Sequence, residues 1–296
     1  MEKKAMLIFN PKAGKMQAKN NLFTLIDLFT KNNYEITTFP TQYSRHAVTI
    51  VKEKASHFDI IICCGGDGTL NEVVSGLMQQ PSKVLLGYIP TGTTNDLATS
   101  LNISKDIYEA ANDIINGKAY LYDIGSLNDK FFTYIAAFGA FTKVPYTTPQ
   151  KFKNAVGRLS YFLEGVKHLT EIKSYHLKIE CDDQVIEDDF VFGSITNSTS
   201  IAGFLKLNSD DVILNDGLFE VLLIKSSNNP IDLTNIVMGL LKQNYDKKKV
   251  LFFRTGNIKI TSLVEIPWCL DGENSGEKKQ VQITNITKSI TFMLNK

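Results

Sequence analysis

The chain has 296 residues, with 32 Lys and Arg against 31 Asp and Glu, 43% hydrophobic residues and 21% charged. This is the composition of an ordinary globular protein, which excludes disordered, collagen-like and disulfide-scaffold classes. A net charge of +1 lacks the overall basic excess that displaces counterions from phosphates, so no nucleic-acid partner is expected.

The chain opens with Met1-Glu2-Lys3-Lys4 and about six apolar-leaning residues before Asn10-Pro11, too short for a signal peptide or a membrane span. No other stretch approaches the roughly 18 uninterrupted apolar residues of a spanning helix. A cytoplasmic protein is expected. Cys63 and Cys64 are adjacent while Cys181 and Cys269 lie far apart, a pattern with neither a CxxC pair nor a disulfide framework, which predicts a reducing compartment.

Up to residue 125 the pattern alternates strand and helix. Ala5 to Phe9, Tyr34 to Phe39, Asp59 to Cys64, Val84 to Ile89 and Ala119 to Ile124 read as strands, and Lys19 to Lys31, Arg45 to Ser56, Thr69 to Met78 and Ile107 to Ile115 as helices. That order predicts an α/β domain over 1–125, a parallel sheet with helices on both faces. From 126 to 296 the texture changes to strands: Phe131 to Phe138, His176 to Cys181, Phe190 to Thr196, Gly217 to Ile224, Asn257 to Ile260, Val281 to Ile286 and Ile290 to Leu294. This predicts a β-rich, antiparallel, sandwich-like second domain, interrupted by helices at Asn154 to Thr170 and Leu233 to Lys242, with the last strand packing back on the first domain.

Asp59 to Cys64 runs into Gly65-Gly66-Asp67-Gly68-Thr69 and then into a helix that begins Leu70-Asn71-Glu72. Three glycines delivered by a buried strand to a helix start allow close backbone approach to phosphate, and the helix N-terminus presents N–H groups with partial positive charge. Asp67, at the carboxyl edge of the sheet, is negative, so its natural partner there is Mg²⁺ lying between it and the phosphates. A plain glycine-rich turn with Asp67 as helix N-cap is the alternative. Asn10-Pro11-Lys12-Ala13-Gly14-Lys15 and Pro90-Thr91-Gly92-Thr93-Thr94-Asn95-Asp96 close the first and fourth strands, and three such loops on one sheet edge describe a nucleotide cleft. Neither the GxxxxGK[ST] nor the GxGxxG pattern occurs, which counts against P-loop and dinucleotide-binding proteins.

In the second half, Asp271-Gly272-Glu273 offers two carboxylates around a glycine at the end of the run Val264 to Leu270. Phosphoryl transfer to an alcohol needs a carboxylate near the hydroxyl. A hairpin turn accounts for Asp-Gly equally well here and at Asp216-Gly217. Asp123 reads as a turn residue or a member of a charge network near the phosphates. The four His residues lack zinc-ligand spacing, and no GxSxG elbow is present, so zinc and serine-hydrolase chemistry are unsupported.

Five of these motifs, Asn10 to Gly14, Gly65 to Thr69 with Asn71-Glu72, Pro90 to Asp96, Asn215-Asp216-Gly217-Leu218 and Leu270-Asp271-Gly272-Glu273, resemble in order and approximate spacing those of the diacylglycerol kinase catalytic-domain family, in particular the bacterial soluble lipid kinases. The resemblance implies an ATP- and Mg²⁺-dependent kinase acting on diacylglycerol or a related lipid alcohol, with its active site between the two domains. It implies nucleotide contacts at Asn10, Pro11, Lys12, Ala13, Gly14, Thr41, Gly65, Gly66, Asp67, Gly68, Thr69, Leu70, Asn71, Glu72 and Thr93. A structural Mg²⁺ is implied at the Asp216 carboxylate with main-chain oxygens of Ile213 and Leu218, and a catalytic base at Asp271 or Glu273. The chain departs from the family where Arg45-His46-Ala47 replaces the frequent Gly-His-Ala. An NAD kinase-like phosphotransferase shares the Gly65 to Thr69 pattern, and a nucleotide-binding sensor is the non-catalytic alternative.

A lipid kinase without a spanning helix must dock on a bilayer. From Lys143 to Lys173 there are six Lys and Arg against two Glu, interleaved with Phe152, Leu159, Tyr161 and Phe162. From Leu241 to Lys259 six basic residues face one Asp beside Leu251-Phe252-Phe253. Both segments suit peripheral contact with an anionic inner membrane face; a solvated helix face or a buried strand is the alternative for either one. A homodimer is compatible with the sequence, which carries no mark of one.

Overall fold

The structure is a computed structural model describing residues 2–13, 17–81, 84–139, 173–182, 184–201, 205–206, 212–227, 230–242 and 244–295. Two compact units divide the chain, one of Met1–Ile124, Lys130–Thr133 and Ile286–Lys296, the other of Gly125–Asp129 and Tyr134–Asn285.

In the first unit the strands are β1 (Lys3–Phe9), β2 (Tyr34–Pro40), β3 (Ile60–Gly65) and β4 (Leu85–Pro90), with β5 (Lys118–Leu127) entering the second unit and β6 (Lys130–Phe132) following it. β1 pairs in parallel with β2 and β3, and β3 in parallel with β4. β1, β3 and β4 are largely apolar runs buried on both faces, as inner parallel strands must be, whereas β2, last in the strand order, is half-buried or exposed beyond Tyr34. The helices are α1 (Gln17–Asn20), α2 (Leu22–Lys31), α3 (His46–Lys54), α4 (Asp67–Leu77), α5 (Asp96–Ser100) and α6 (Ile107–Asn116). Leu25, Leu28 and Phe29 of α2 and Ala110, Ala111 and Ile114 of α6 share one core with Ala5, Leu7, Phe9, Ile60, Ile62 and Cys64. The alternate residues Met6, Ile8, Ile61 and Cys63, also buried, face the other side of the sheet by the two-residue period of a strand. Asp106 caps α6 by accepting the N–H groups of Tyr108 and Glu109, each at 2.9 Å.

The second unit is built from β7 (Ile135–Gly139), β8 (Tyr175–Cys181), β9 (Gln184–Thr196), β12 (Phe219–Lys225), β13 (Val250–Thr255), β14 (Asn257–Leu270) and β15 (Glu273–Leu294), with α7 (Pro230–Leu241). Its strands run in the order β13-β12-β9-β7-β14-β15, and β8 pairs with β14 and β9. Every pairing among β7, β8, β9, β12, β13 and β14 is antiparallel, as is that of β14 with β15. β10 (Ser200–Ile201) and β11 (Leu205–Lys206) form a separate ladder.

Two details of the strands refine the sequence pattern. Of the alternatives at Leu241 to Lys259, the structure has the strand: Leu251-Phe252-Phe253 lies in β13, paired along its length with β12. The two C-terminal strands are one, β15, whose end pairs in parallel with β4 at Thr291 and Phe292. The helix expected at Asn154 to Thr170 lies outside the described residues.

Candidate active site

The carboxyl ends of β1 to β4 carry the loops singled out above, and backbone hydrogen bonds hold those loops side by side. Asn10 N–H donates to the Cys64 carbonyl at 3.2 Å, Thr41 N–H to the Phe9 carbonyl at 2.9 Å, and Thr91 N–H to the Gly65 carbonyl at 2.8 Å. In the first loop the Asn10 side chain closes a turn by accepting the Lys12 N–H at 2.9 Å, and Ala13 N–H donates to the Asn10 carbonyl at 3.1 Å. Gly14 lies outside the described residues.

Gly66, extended, is the N-cap of α4, and its carbonyl accepts from Leu70 N–H at 3.0 Å. The N–H groups ahead of Leu70, at Asp67, Gly68 and Thr69, have no partner within the helix itself, as at any helix start. The loop after β4 passes over this turn: a Cβ on Gly92 would lie 2.6 Å from the Gly66 Cα and 2.6 Å from Asn95 Oδ1. No side chain fits between the two loops, so glycine at both positions is what lets their backbones pack directly on each other. Asn95 pins the upper loop. In the left-handed region at φ 53° and 4% exposed, its Oδ1 accepts from Gly92 N–H at 3.0 Å and from the Tyr88 hydroxyl at 3.3 Å, and its Nδ2 donates to the Gly92 carbonyl at 2.9 Å. The sequence motif gives Asn95 no role of its own; the local signal for one is an Asn between turn residues and a helix start.

The remaining predicted nucleotide residues occupy unlike places. Thr93 is exposed, Thr41, Pro11 and Ala13 half-buried, Lys12 exposed, and Leu70 fully buried, so its side chain belongs to the core. Asn71 Nδ2 donates to the Phe131 carbonyl at 3.2 Å. Glu72 binds the start of α3: its Oε1 accepts Arg45 N–H at 2.7 Å and its Oε2 Ala47 N–H at 3.1 Å, a carboxylate at the positive end of a helix. Burial pushes the Cys64 thiol up to about 12 and likewise drives Cys63 well above its ordinary value. Neither is a nucleophile at neutral pH. Asp123, fully buried, accepts Lys288 N–H at 2.6 Å.

In the second unit, Asp271 (φ 47°) and Gly272 (φ 86°) form the two-residue turn between β14 and β15, with Leu270 opposite Glu273. Positive φ at both centres is what makes Asp-Gly the choice for such a hairpin. The turn also holds a carboxylate rigidly. Asp271 is 6% exposed, its Oδ1 accepts Tyr134 N–H at 3.0 Å and Ile135 N–H at 3.1 Å, and its own N–H donates to the Ile135 carbonyl at 2.9 Å. Glu273, two residues on, is exposed to solvent.

Asp216 does not suit a structural Mg²⁺. Its Oδ1 accepts Leu218 N–H at 3.0 Å and its Oδ2 accepts from Arg254 Nη2. Mg²⁺ demands near-octahedral oxygen ligation, and here it would meet a guanidinium. The glycine turn at Gly66 to Thr69 does suit a triphosphate, and Asp67 in the first turn of α4 suits the Mg²⁺ that accompanies one, since this ion is held by one or two carboxylates plus substrate phosphates.

Of the basic segments, 140–172 lies outside the described residues. In the other, Lys249 pairs with Asp232 at 2.9 Å, Lys259 with Glu180 at 3.6 Å, and Arg254 with Asp216 and Glu220, so half of its cations already have acidic partners. Among the described residues no helix is long and apolar enough to cross a membrane.

Residues 4–127 match the diacylglycerol kinase catalytic domain. The chain is 35% identical over 276 residues to a diacylglycerol kinase of Bacillus subtilis (strain 168), covering 93% of this chain and 91% of that one. It is 36% identical over 280 residues to a diacylglycerol kinase of Staphylococcus aureus (strain bovine RF122 / ET3-1), covering 94% and 88%. A crystal structure from Bacillus anthracis str. Sterne bearing a diacylglycerol kinase name superposes with a TM-score of 0.83 at 26% identity, covering 99% of this chain and 95% of that one. These likenesses lead to one assignment: the chain belongs to the diacylglycerol kinase family of lipid kinases.

Proposed function

We propose that the chain transfers the γ-phosphoryl group of ATP to the hydroxyl of diacylglycerol or a closely related lipid, giving phosphatidic acid or its analogue. The observation that carries this reading is the glycine turn that opens α4, with Gly66 as its extended N-cap and Asp67 in its first turn, in a chain whose relatives bear the diacylglycerol kinase name. In this reading the triphosphate lies along Asn10 to Gly14, Gly65 to Glu72 and Thr93, with Thr41 at the nucleoside end. Backbone N–H groups at the start of α4 receive the phosphates. Mg²⁺ bound with ATP neutralises phosphate charge, and Asp67 is the carboxylate that would hold it.

Phosphoryl transfer asks little covalent chemistry of the protein; it asks for position and for a group that takes the hydroxyl proton. Asp271 Oδ1 is committed to two backbone amides and acts as the anchor of the turn, while the solvent-facing Glu273 takes the proton. The oxygen so activated attacks the γ-phosphorus, and ADP leaves. Contact with an anionic membrane surface supplies the substrate in this reading. The test is transfer of label from ATP to diacylglycerol in mixed micelles, with NAD as the competing acceptor. Labelled phosphatidic acid is expected; label on NAD alone would refute the assignment.

A further inference from the structure

We infer that Arg254 is the resident cation of the Val212–Leu218 loop: its guanidinium, held between Asp216 and Glu220, does there what a divalent ion would do, so the loop keeps its place without metal. The ladder of β12 and β13 sets Arg254 directly opposite Glu220, and Arg254 Nε lies 3.3 Å from Glu220 Oε1 while Nη2 reaches Asp216 Oδ2. Glu220 is 1% exposed. A buried carboxylate left without a counter-charge is strongly unfavourable, and a planar guanidinium can serve two acceptors from one fork. A metal ion could reach the Asp216 carboxylate only by displacing Arg254, which would strip Glu220 of its partner.

The rest of the loop is held in the same metal-free way. Asn197 Nδ2 donates to the Leu214 carbonyl at 3.2 Å, Asp216 Oδ1 closes its own turn on Leu218 N–H, and the Gly217 carbonyl packs 2.7 Å from where a Cβ on Gly256 would stand. Removing the guanidinium leaves the Asp216 carboxylate without its counter-charge, open to a hard cation.

The experiment strips the full chain with EDTA and follows melting with and without millimolar Mg²⁺, in the absence of nucleotide, together with Mn²⁺ binding by electron paramagnetic resonance. Wild type is expected to melt at one temperature in both conditions and to show no Mn²⁺ binding that Asp216→Asn removes. Arg254→Gln is expected to melt roughly 5 °C lower in EDTA, to recover with Mg²⁺ and to bind Mn²⁺, with both gains lost when Asp216→Asn is added. Wild type that is stabilised by Mg²⁺, or that binds Mn²⁺ through Asp216, overturns the inference, as does Arg254→Gln that melts like wild type in EDTA. If Arg254→Gln does not fold, wild type and Asp216→Asn decide the matter between them.

Discussion

A methyl group placed on Gly92 would stand 2.6 Å from the Cα of Gly66, so the third loop rides on the first turn of α4 with backbone against backbone. Gly92→Ala must therefore push the loops apart. Because displacements near 1 Å at a site of this kind cost on the order of 10²-fold in rate, the variant is expected to lose about two orders of magnitude in kcat/KM for ATP. Steady-state kinetics at saturating lipid, with melting as control, check this; wild-type kinetics in a folded variant would contradict the phosphate cradle.

Arg45 tests whether the departure from the family's glycine has a cost. It sits in the left-handed region at φ 64°, where a residue with a Cβ is about 1–2 kcal/mol worse off, while glycine's greater freedom in the unfolded chain returns roughly 0.5–1 kcal/mol of that. Arg45→Gly is thus expected to stabilise the protein by about 0.5–1 kcal/mol in urea unfolding. Glu72→Ala should act in the opposite sense by about 2 kcal/mol, since it leaves the Arg45 and Ala47 N–H groups without their charged acceptor.

The acidic hairpin separates anchoring from proton transfer. Glu273→Gln is expected to reduce kcat by roughly 10²–10⁴ with an unchanged melting temperature, because its side chain is exposed. Asp271→Ala should lower the melting temperature as well, because the amides of Tyr134 and Ile135 lose their shared acceptor. Unaltered kcat in Glu273→Gln would remove it as the base.

Glu220 predicts a pH dependence of stability. Burial raises its carboxyl from 4.5 to about 7, against the pull of the Arg254 guanidinium, with Asp216 adding to the rise. The folded value lies above the unfolded one, so the folded state binds the proton more tightly. The resulting stability is fully present below pH 4.5 and is lost as pH rises through 7, at most about 3 kcal/mol over that window. Glu220→Gln should flatten the urea-derived stability profile between pH 5 and about 7.5 relative to wild type; an unchanged slope would show that the carboxyl does not titrate there.

Much of the first unit was legible because its strands and helices announce themselves locally: the Asp59 to Cys64 run, the glycines after it and the periodic helices are short-range patterns. The three loops at one sheet edge followed from the order of those elements. Long-range pairing was not legible. Nothing near Glu72 in sequence says that it binds the start of α3, and nothing at Asp216 says that a residue 38 positions later will face it, because antiparallel register between β12 and β13 depends on both strands at once. Periodicity and spacing fixed the local elements and the residue types offered to chemistry. The burial of Glu220, the two amides on Asp271 and the guanidinium on Asp216 were decided only when distant backbones paired, since those groups must satisfy one another away from water.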